Sequence, residues 1–451
     1  MVRRLILVLL LLIGLSGVVF VAYAWRTEID PVDPSVRSAF DSATVTRGAS
    51  LAALGDCLAC HTAPEGKAYA GGFPLRTQFG TIYGSNITPD ADAGIGRWSL
   101  AAFARAMREG VDRQGRHLYP AFPYDHFTIL SDEDLMALYA FLMTREPVRA
   151  ETPANDVTFP LNIRMLIAGW KLLYFEPTGF RPDPTQNTEW NRGAYLVQGL
   201  AHCGACHTPR NALGAEKRDL ALAGGEAEGW HAPALNGASP APVPWTAASL
   251  LRYLRYGVDD VHAVAVGPMA PVVHNLASVP ESEVRAIVTY IASVMGPADA
   301  ERQKRAQQIV AQVRAPNATT QGASDAQRQD GGKKDAAMQN GAAIYAGSCA
   351  ICHGAPLRAP GSPSSNALHL SLSSALSLPD PGNLLRVILQ GIAPPDGERG
   401  PFMPGFYGAF NDEQVAAVVS YLRATYTDRP QWQDVEREVR KVRQSYAQGR
   451  E

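Results

Sequence analysis

Six cysteines occur in the chain, and all six fall into three copies of one spacing: Cys57-Leu-Ala-Cys60-His61, Cys203-Gly-Ala-Cys206-His207 and Cys349-Ala-Ile-Cys352-His353. Two thiols separated by two residues and followed directly by an imidazole suit three kinds of chemistry. A redox dithiol needs no histidine behind its second cysteine, and a zinc site would pair two Cys-x-x-Cys knuckles. The third reading uses every residue of the pattern: both thiols add across the vinyl groups of a haem, and the histidine becomes the proximal iron ligand. Three copies with no cysteine left over predict three covalently bound haems c. Cys57, Cys60, Cys203, Cys206, Cys349 and Cys352 would hold them, with His61, His207 and His353 on iron.

An electron-transfer haem takes a second axial ligand, usually Met or His. Each repeat contains a helical pattern ending in glycine, at Phe103–Gly110, Leu250–Gly257 and Leu384–Gly391, and twelve residues after those glycines stand Phe122, Met269 and Met403. Met269 in Gly267-Pro-Met-Ala-Pro and Met403 in Pro401-Phe-Met-Pro-Gly are the expected thioether ligands, although a methionine can equally be plain core packing. Phe122 cannot ligate iron. His126, four residues on, is the first candidate for that position, with His117 and Met107 behind it; the alternative is a first haem with an open position. An open site would bind small molecules and suggest a stand-alone, peroxidase-like haem enzyme.

Each motif follows a helical pattern (Thr46–Leu54, Asn191–Leu200, Ala337–Gly347) that carries Gly48, Gly193 or Gly341, where a second helix could approach closely. Each repeat closes with a better-marked helix: Ser131 to Met143, Pro280 to Met295 and Asn411 to Thr425. Caps, an N1 proline and first-turn acids mark their starts, and apolar residues recur at helical spacing, as at Val415, Val418, Val419 and Leu422. The intervening Pro- and Gly-rich loops show little strand character.

At about 150 residues per domain, the length accommodates three domains. The expected architecture is all-α: three tandem class I-like haem domains at 38–147, 187–296 and 336–428. A linker covers 297–335, helical through Val313 and disordered beyond Pro316, and a helical tail covers 429–451. Residues 1–26 are an anchor or signal. Arg3 and Arg4 precede an uncharged apolar run, Leu5–Ala24, long enough to span a bilayer with its start in the cytoplasm. Ala22-Tyr23-Ala24 also fits a signal cleavage site. Either reading exports the chain, and the length of the run favours a retained transmembrane helix. With 41 Lys and Arg against 43 Asp and Glu, no charge excess points to nucleic acid.

Further motifs carry a family resemblance: Gly80-Thr-Ile-Tyr-Gly-Ser-Asn-Ile-Thr-Pro-Asp90, Gly94-Ile-Gly-Arg-Trp98, His117-Leu-Tyr-Pro120 and Cys206-His-Thr-Pro-Arg-Asn211. With the three Cys motifs, the chain resembles the tri-haem cytochrome c subunits of bacterial membrane-bound periplasmic dehydrogenases. The resemblance implies a place on the periplasmic side of the inner membrane. It also implies a separate dehydrogenase subunit that oxidises an alcohol, sugar, aldehyde or N-heterocycle, and delivery of the electrons to ubiquinone. The partner's cofactor in such families is pyrroloquinoline quinone, flavin, or molybdopterin with iron–sulfur clusters. In the alcohol-dehydrogenase branch the first repeat resembles Leu-Tyr-Pro-Ala-Met-Pro-Tyr. Here Leu118-Tyr-Pro-Ala-Phe-Pro-Tyr-Asp-His-Phe127 looks closer to cytochromes paired with molybdenum enzymes such as aldehyde dehydrogenases. No nucleophile with its base, nucleotide loop or quinone motif is legible. The cytochrome subunit of a terminal oxidase is a further reading.

Overall fold

A computed structural model of the chain describes residues 1–34, 39–314, 333–354, 369–394 and 400–448. The disorder expected beyond Pro316 falls in 315–332 and so lies outside the described residues. The apolar run forms one helix, α1 (Val2–Ala24), with a mean hydropathy of 3.1 over its most apolar window; only Ala24 is buried.

In the first repeat, Asp41 caps α2 (Ser42–Leu54) by accepting from the Thr44 amide, so the helix starts before the expected Thr46. Strands β1 (Pro74–Thr77) and β2 (Gly80–Tyr83) form an antiparallel hairpin with Pro74 opposite Tyr83. Ser99 caps α3 (Leu100–Glu109), and Ser131 caps α4 (Asp132–Met143). Strand β3 (Asp156–Val157) extends the hairpin, and α5 (Ile167–Tyr174) follows. The segment 147–187, between the first two expected domains, carries a strand and a helix.

The second repeat opens with α6 (Thr188–Tyr195), capped by Asn187 and continued by a wide π-type turn over Leu196–Leu200. Strands β4 (Gly225–Ala227) and β5 (Trp230–Ala232) meet at Glu228-Gly229. Both turn residues have positive φ, 50° and 75°, as a type I′ hairpin requires. Next come α7 (Ala247–Tyr256), with a Thr246/Ser249 capping box, the short pair β6 (Val258–Asp259) and β7 (Ala263–Val264), α8 (Met269–Ser278) and α9 (Glu281–Met295). The linker is helical as far as expected, as α10 (Ala300–Arg314), and Ala306 and Val313 on it are buried. Arg302 Nη2 donates to the Ser239 carbonyl at 2.7 Å.

The third repeat comprises α11 (Lys333–Ile344), a second π-type turn over Tyr345–Cys349, α12 (Gly382–Gln390), α13 (Asp412–Tyr426) with an Asn411/Gln414 capping box, and α14 (Val435–Gln448). The C-terminal helix is part of this core. Val435, Val439 and Val442 bury one stripe against Leu385, Leu389, Val415 and Val419. The small hairpins qualify the all-α expectation. Residues 74–83 and 225–232 are too short and too mixed in polarity to show the alternation that marks a strand.

One helix crossing recurs in all three repeats. A Cβ on Gly48 of α2 would lie 1.9 Å from the Ala137 carbonyl oxygen of α4, and one on Gly193 of α6 would lie 1.9 Å from that of Ala286 in α9. On Gly341 of α11 it would lie 2.3 Å from that of Ala417 in α13. An aromatic four residues further on packs beside each glycine: Phe141, Tyr290 and Tyr421. Only glycine permits backbones this close. By compactness the chain divides into two units, Met1–Ala205 with Arg210–Lys217 and Ser278–Tyr290, and Cys206–Pro209 with Arg218–Ala277 and Ile291–Glu451. The second repeat contributes residues to both.

Candidate haem centres

None of the six cysteines is joined in a disulfide. Cys57 and Cys60 begin and end a one-turn helix, and the residue ahead of the first cysteine is left-handed in two repeats, Asp56 at φ 49° and His202 at φ 35°. This places the thiols on one turn with the histidine at its end. Burial, with Asp56 and Cys60 adding to it, pushes the Cys57 thiol up to about 12.

The histidines of the first two motifs share one device. His61 Nδ1 donates to the Ser85 carbonyl at 2.6 Å, and His207 Nδ1 donates to the Pro233 carbonyl at 2.6 Å. A carbonyl can only accept, so Nδ1 carries the proton and Nε2 keeps its lone pair, the tautomer a metal needs. Burial holds both rings below the usual histidine range, hence neutral. Behind each histidine the carbonyl of the ring-bearing residue accepts a glycine amide, Gly71 for His61 and Gly224 for His207, both at 2.8 Å.

Two positioning residues escaped the sequence reading. Thr62 and Thr208, next in chain to the two histidines, accept the amides of Tyr69 and Leu222 at 3.1 Å, each a left-handed residue at φ 62° and 57°. The signal was a repeated Cys-His-Thr, which the third repeat replaces with Cys352-His353-Gly354. His353 ends the one-turn helix Ala350–His353, and the segment that follows it, 355–368, lies outside the described residues.

The distal candidates behave differently from one another. Met269 is the first residue of α8, and its loop is held where Gly267 (φ 56°) meets the Trp230 ring. Met403 pairs with Ile392 through two backbone hydrogen bonds, 2.9 and 2.8 Å. In the other repeats the residue after the helix-ending glycine pairs instead with His117 (by Val111) and Val264 (by Val258). Equal Gly-to-Met spacing thus hides unequal backbone register.

Both ring nitrogens of His126 are hydrogen-bonded in this structure. Its Nδ1 donates to the Gln198 carbonyl at 2.7 Å and its Nε2 to Glu216 Oε1 at 2.8 Å, leaving no lone pair. Burial alone would lower its affinity for a proton. The Glu216 hydrogen bond and charge outweigh that and push it to about 9, while the same contact holds Glu216 below the ordinary carboxylate value. His117 is also engaged, with Nε2 to the Ala24 carbonyl at 2.8 Å and Nδ1 accepting from Lys171 Nζ at 3.2 Å. Met107 is buried in α3, and Phe122 packs edge-on against Phe127.

The His126–Glu216 pair makes a pH prediction. A histidine raised from 6.5 to about 9 contributes stability fully below pH 6.5 that is lost as pH rises through about 9. A glutamate lowered from 4.5 contributes above pH 4.5 and is lost as pH falls through its folded value. The stability gap between the native chain and Glu216→Gln should therefore be widest between pH 4.5 and 6.5 and shrink toward pH 9. Melting scans across that range check it; a gap independent of pH would refute it.

In the second compact unit, Asn383 of α12 pairs with the backbone of β5, accepting from the His231 amide and donating to its carbonyl at 2.8 Å each. Arg386 lies over the Trp230 ring at 5.8 Å. The strand that leads to the Pro233 carbonyl, and so to His207, is thereby tied to the third repeat.

Thiol pairs outside any disulfide, the neutral His61 and His207 with the proton held on Nδ1, and glycines that let backbone close over the motif fit haem c. The class is that of proteins built from cytochrome c domains. Residues 45–146 match the cytochrome c family, and residues 336–422 match the family described as cytochrome c oxidase, cbb3-type, subunit III. The fructose dehydrogenase cytochrome subunit of Gluconobacter japonicus is 36% identical over 88% of this chain and 82% of its own length, and the gluconate 2-dehydrogenase cytochrome c subunit of Pantoea cypripedii is 37% identical over 86% of each. A nicotinate dehydrogenase subunit of Pseudomonas putida is 44% identical over 95% of this chain, which spans only 34% of that longer protein. The chain belongs to the family of multihaem cytochrome c subunits of dehydrogenases, proteins of electron transfer that hold haem c covalently.

Proposed function

We propose that this chain is the electron relay of a periplasm-facing, membrane-bound dehydrogenase, carrying three haems c and delivering electrons to ubiquinone. The carrying observation is the threefold recurrence of one Cys-x-x-Cys-His motif, each preceded by a helix that crosses its partner at a glycine. Haem c supplies one-electron exchange with little rearrangement when both axial positions are filled. Cys57, Cys60, Cys203, Cys206, Cys349 and Cys352 would hold it, with His61, His207 and His353 as proximal ligands and Met269 and Met403 as distal ones. For the first centre, His126 would have to surrender its bond to Glu216 before it could ligate. α1 is the membrane span, with Arg3 and Arg4 on its cytoplasmic side.

The proposed catalytic partner is a molybdopterin enzyme with an iron–sulfur small subunit acting on an aldehyde, supported by the Phe122-Pro-Tyr-Asp-His126 variant of the first repeat. A second reading has the partner acting on an N-heterocycle, favoured by the 44% identity to the nicotinate dehydrogenase chain of Pseudomonas putida. The test is to purify the native complex in detergent and record low-temperature EPR and visible spectra while quantifying haem c and molybdenum. Low-spin haem equal to the number of Cys motifs, with molybdenum present, is expected, and turnover on an aldehyde and N-heterocycle panel then separates the two readings. A high-spin first haem that binds cyanide, with no dehydrogenase subunit, would overturn the relay and favour a haem enzyme.

A further inference from the structure

The segment after the first repeat has an unusual surface. Phe159 is 75% exposed, Leu172 66% and Leu173 68%, and Leu161, Ile163 and Leu166 are exposed beside them. From Val157 to Phe175 the only charged residues are Arg164 and Lys171, and both point into the protein. Arg164 lies over the Tyr119 ring at 5.0 Å and donates to the His117 carbonyl; Lys171 is buried, with Nζ donating to the carbonyl of Gly110 at 2.8 Å and to that of Glu109. The outward face therefore carries no charge and, apart from Thr158 and Asn162, is apolar, which a water-exposed surface rarely is over such an extent.

This face is continuous with α1. Gly169 of α5 abuts the Phe20 ring, 3.6 Å from where a Cβ would stand. His117 ties the two elements together, bonding the Ala24 carbonyl at the end of α1 through Nε2 and Lys171 through Nδ1. Trp25, Trp170 and Tyr174 supply the amphipathic rings that favour the headgroup zone. A helix with one face buried in protein and an apolar face bare, fixed beside the outer end of an apolar span, has the form of an interfacial element.

We infer that residues 157–175 lie in the lipid interface, α5 seating on the bilayer beside α1 and setting the height and tilt of the first cytochrome unit above the membrane. The inference rests on reading α1 as a membrane span. To test it, the full-length haem-loaded chain is reconstituted without its partner into phosphatidylethanolamine/phosphatidylglycerol vesicles. It is labelled with a diazirine-bearing phospholipid and the adducts are mapped by mass spectrometry. Label is expected on α1 and on 157–175. Leu172→Glu with Leu173→Glu should abolish the second set while α1 labelling and the haem spectrum stay unchanged. Label confined to α1 would overturn the interfacial seat and leave the span intact, whereas no label on either would overturn the span itself. Label on 157–175 that vanishes when the dehydrogenase subunit is added would assign the face to that protein and also overturn the inference.

Discussion

Gly193→Val is expected to leave the second repeat unable to fold around its haem, so that covalently bound haem per chain falls by one. The new Cβ would stand 1.9 Å from the Ala286 carbonyl oxygen, and the obstacle is backbone in a helix rather than a side chain that can swing away. Overpacking of a close-packed site commonly costs about 1–3 kcal/mol, and a main-chain clash belongs at or above the upper end. Relieving it means separating α6 from α9, which also opens the Tyr290 contact and the hydrogen bond from Gln198 to Tyr290, 2.6 Å long. Gly179→Ala, at a position with nothing within 4 Å, is the control and should load haem normally. Haem-stained gels and intact mass of the two variants decide the matter; full loading of Gly193→Val would show that the crossing is not needed.

Asp134→Leu should destabilise the first compact unit by about 2–3 kcal/mol, the usual consequence of removing a buried carboxylate that accepts several hydrogen bonds. Asp134 is 1% exposed and does three things at once. It accepts from Arg47 at 2.6 and 3.0 Å, accepts from the Tyr195 hydroxyl at 2.7 Å, and sits 3.6 Å from Arg192 in the first turn of α4, where a carboxylate also suits the helix dipole. Its loss takes away the acceptor that joins groups from two different repeats, although Arg192 keeps Glu283 at 2.8 Å, Arg47 is half exposed to water and the Tyr195 hydroxyl still accepts from the Ser131 amide. Chemical denaturation of the haem-loaded chain checks the figure. Tyr195→Phe, which removes a single hydroxyl, should cost much less, about 1 kcal/mol, and equal losses for both would mean that the cluster is not a charge site.

The parts of the fold legible in sequence were those whose physics is local. Caps at Ser131 and Asn411 satisfy amides within three residues, so the types of those residues announce the helix starts. Gly48, Gly193 and Gly341 were legible for a different reason, because repetition at matched offsets singles out a residue that composition alone would not. The hairpins at 74–83 and 225–232 were missed because each strand is only three or four residues long. The pairing at 225–232 depends on a turn at Glu228-Gly229 that lacks the usual Asn-Gly or Asp-Gly signature. The helical character of α10 was legible through Val313, but the burial of Ala306 and Val313 was not, because most of the helix surface is charged.

By itself, the order of residues settled the chemistry: thiol pairs, the adjoining imidazoles and the apolar N-terminal run are properties of short contiguous stretches, and their chemistry does not wait on packing. Tertiary structure decided which atoms stay free to use that chemistry. His126 looked available beside Phe122, yet Gln198 and Glu216, 72 and 90 residues away, close both of its nitrogens. His61 and His207 are poised by the carbonyls of Ser85 and Pro233, 24 and 26 residues on, because a carbonyl at hydrogen-bond distance dictates which ring nitrogen keeps its lone pair. Partners that far along the chain are brought close only by folding, and no local pattern records them.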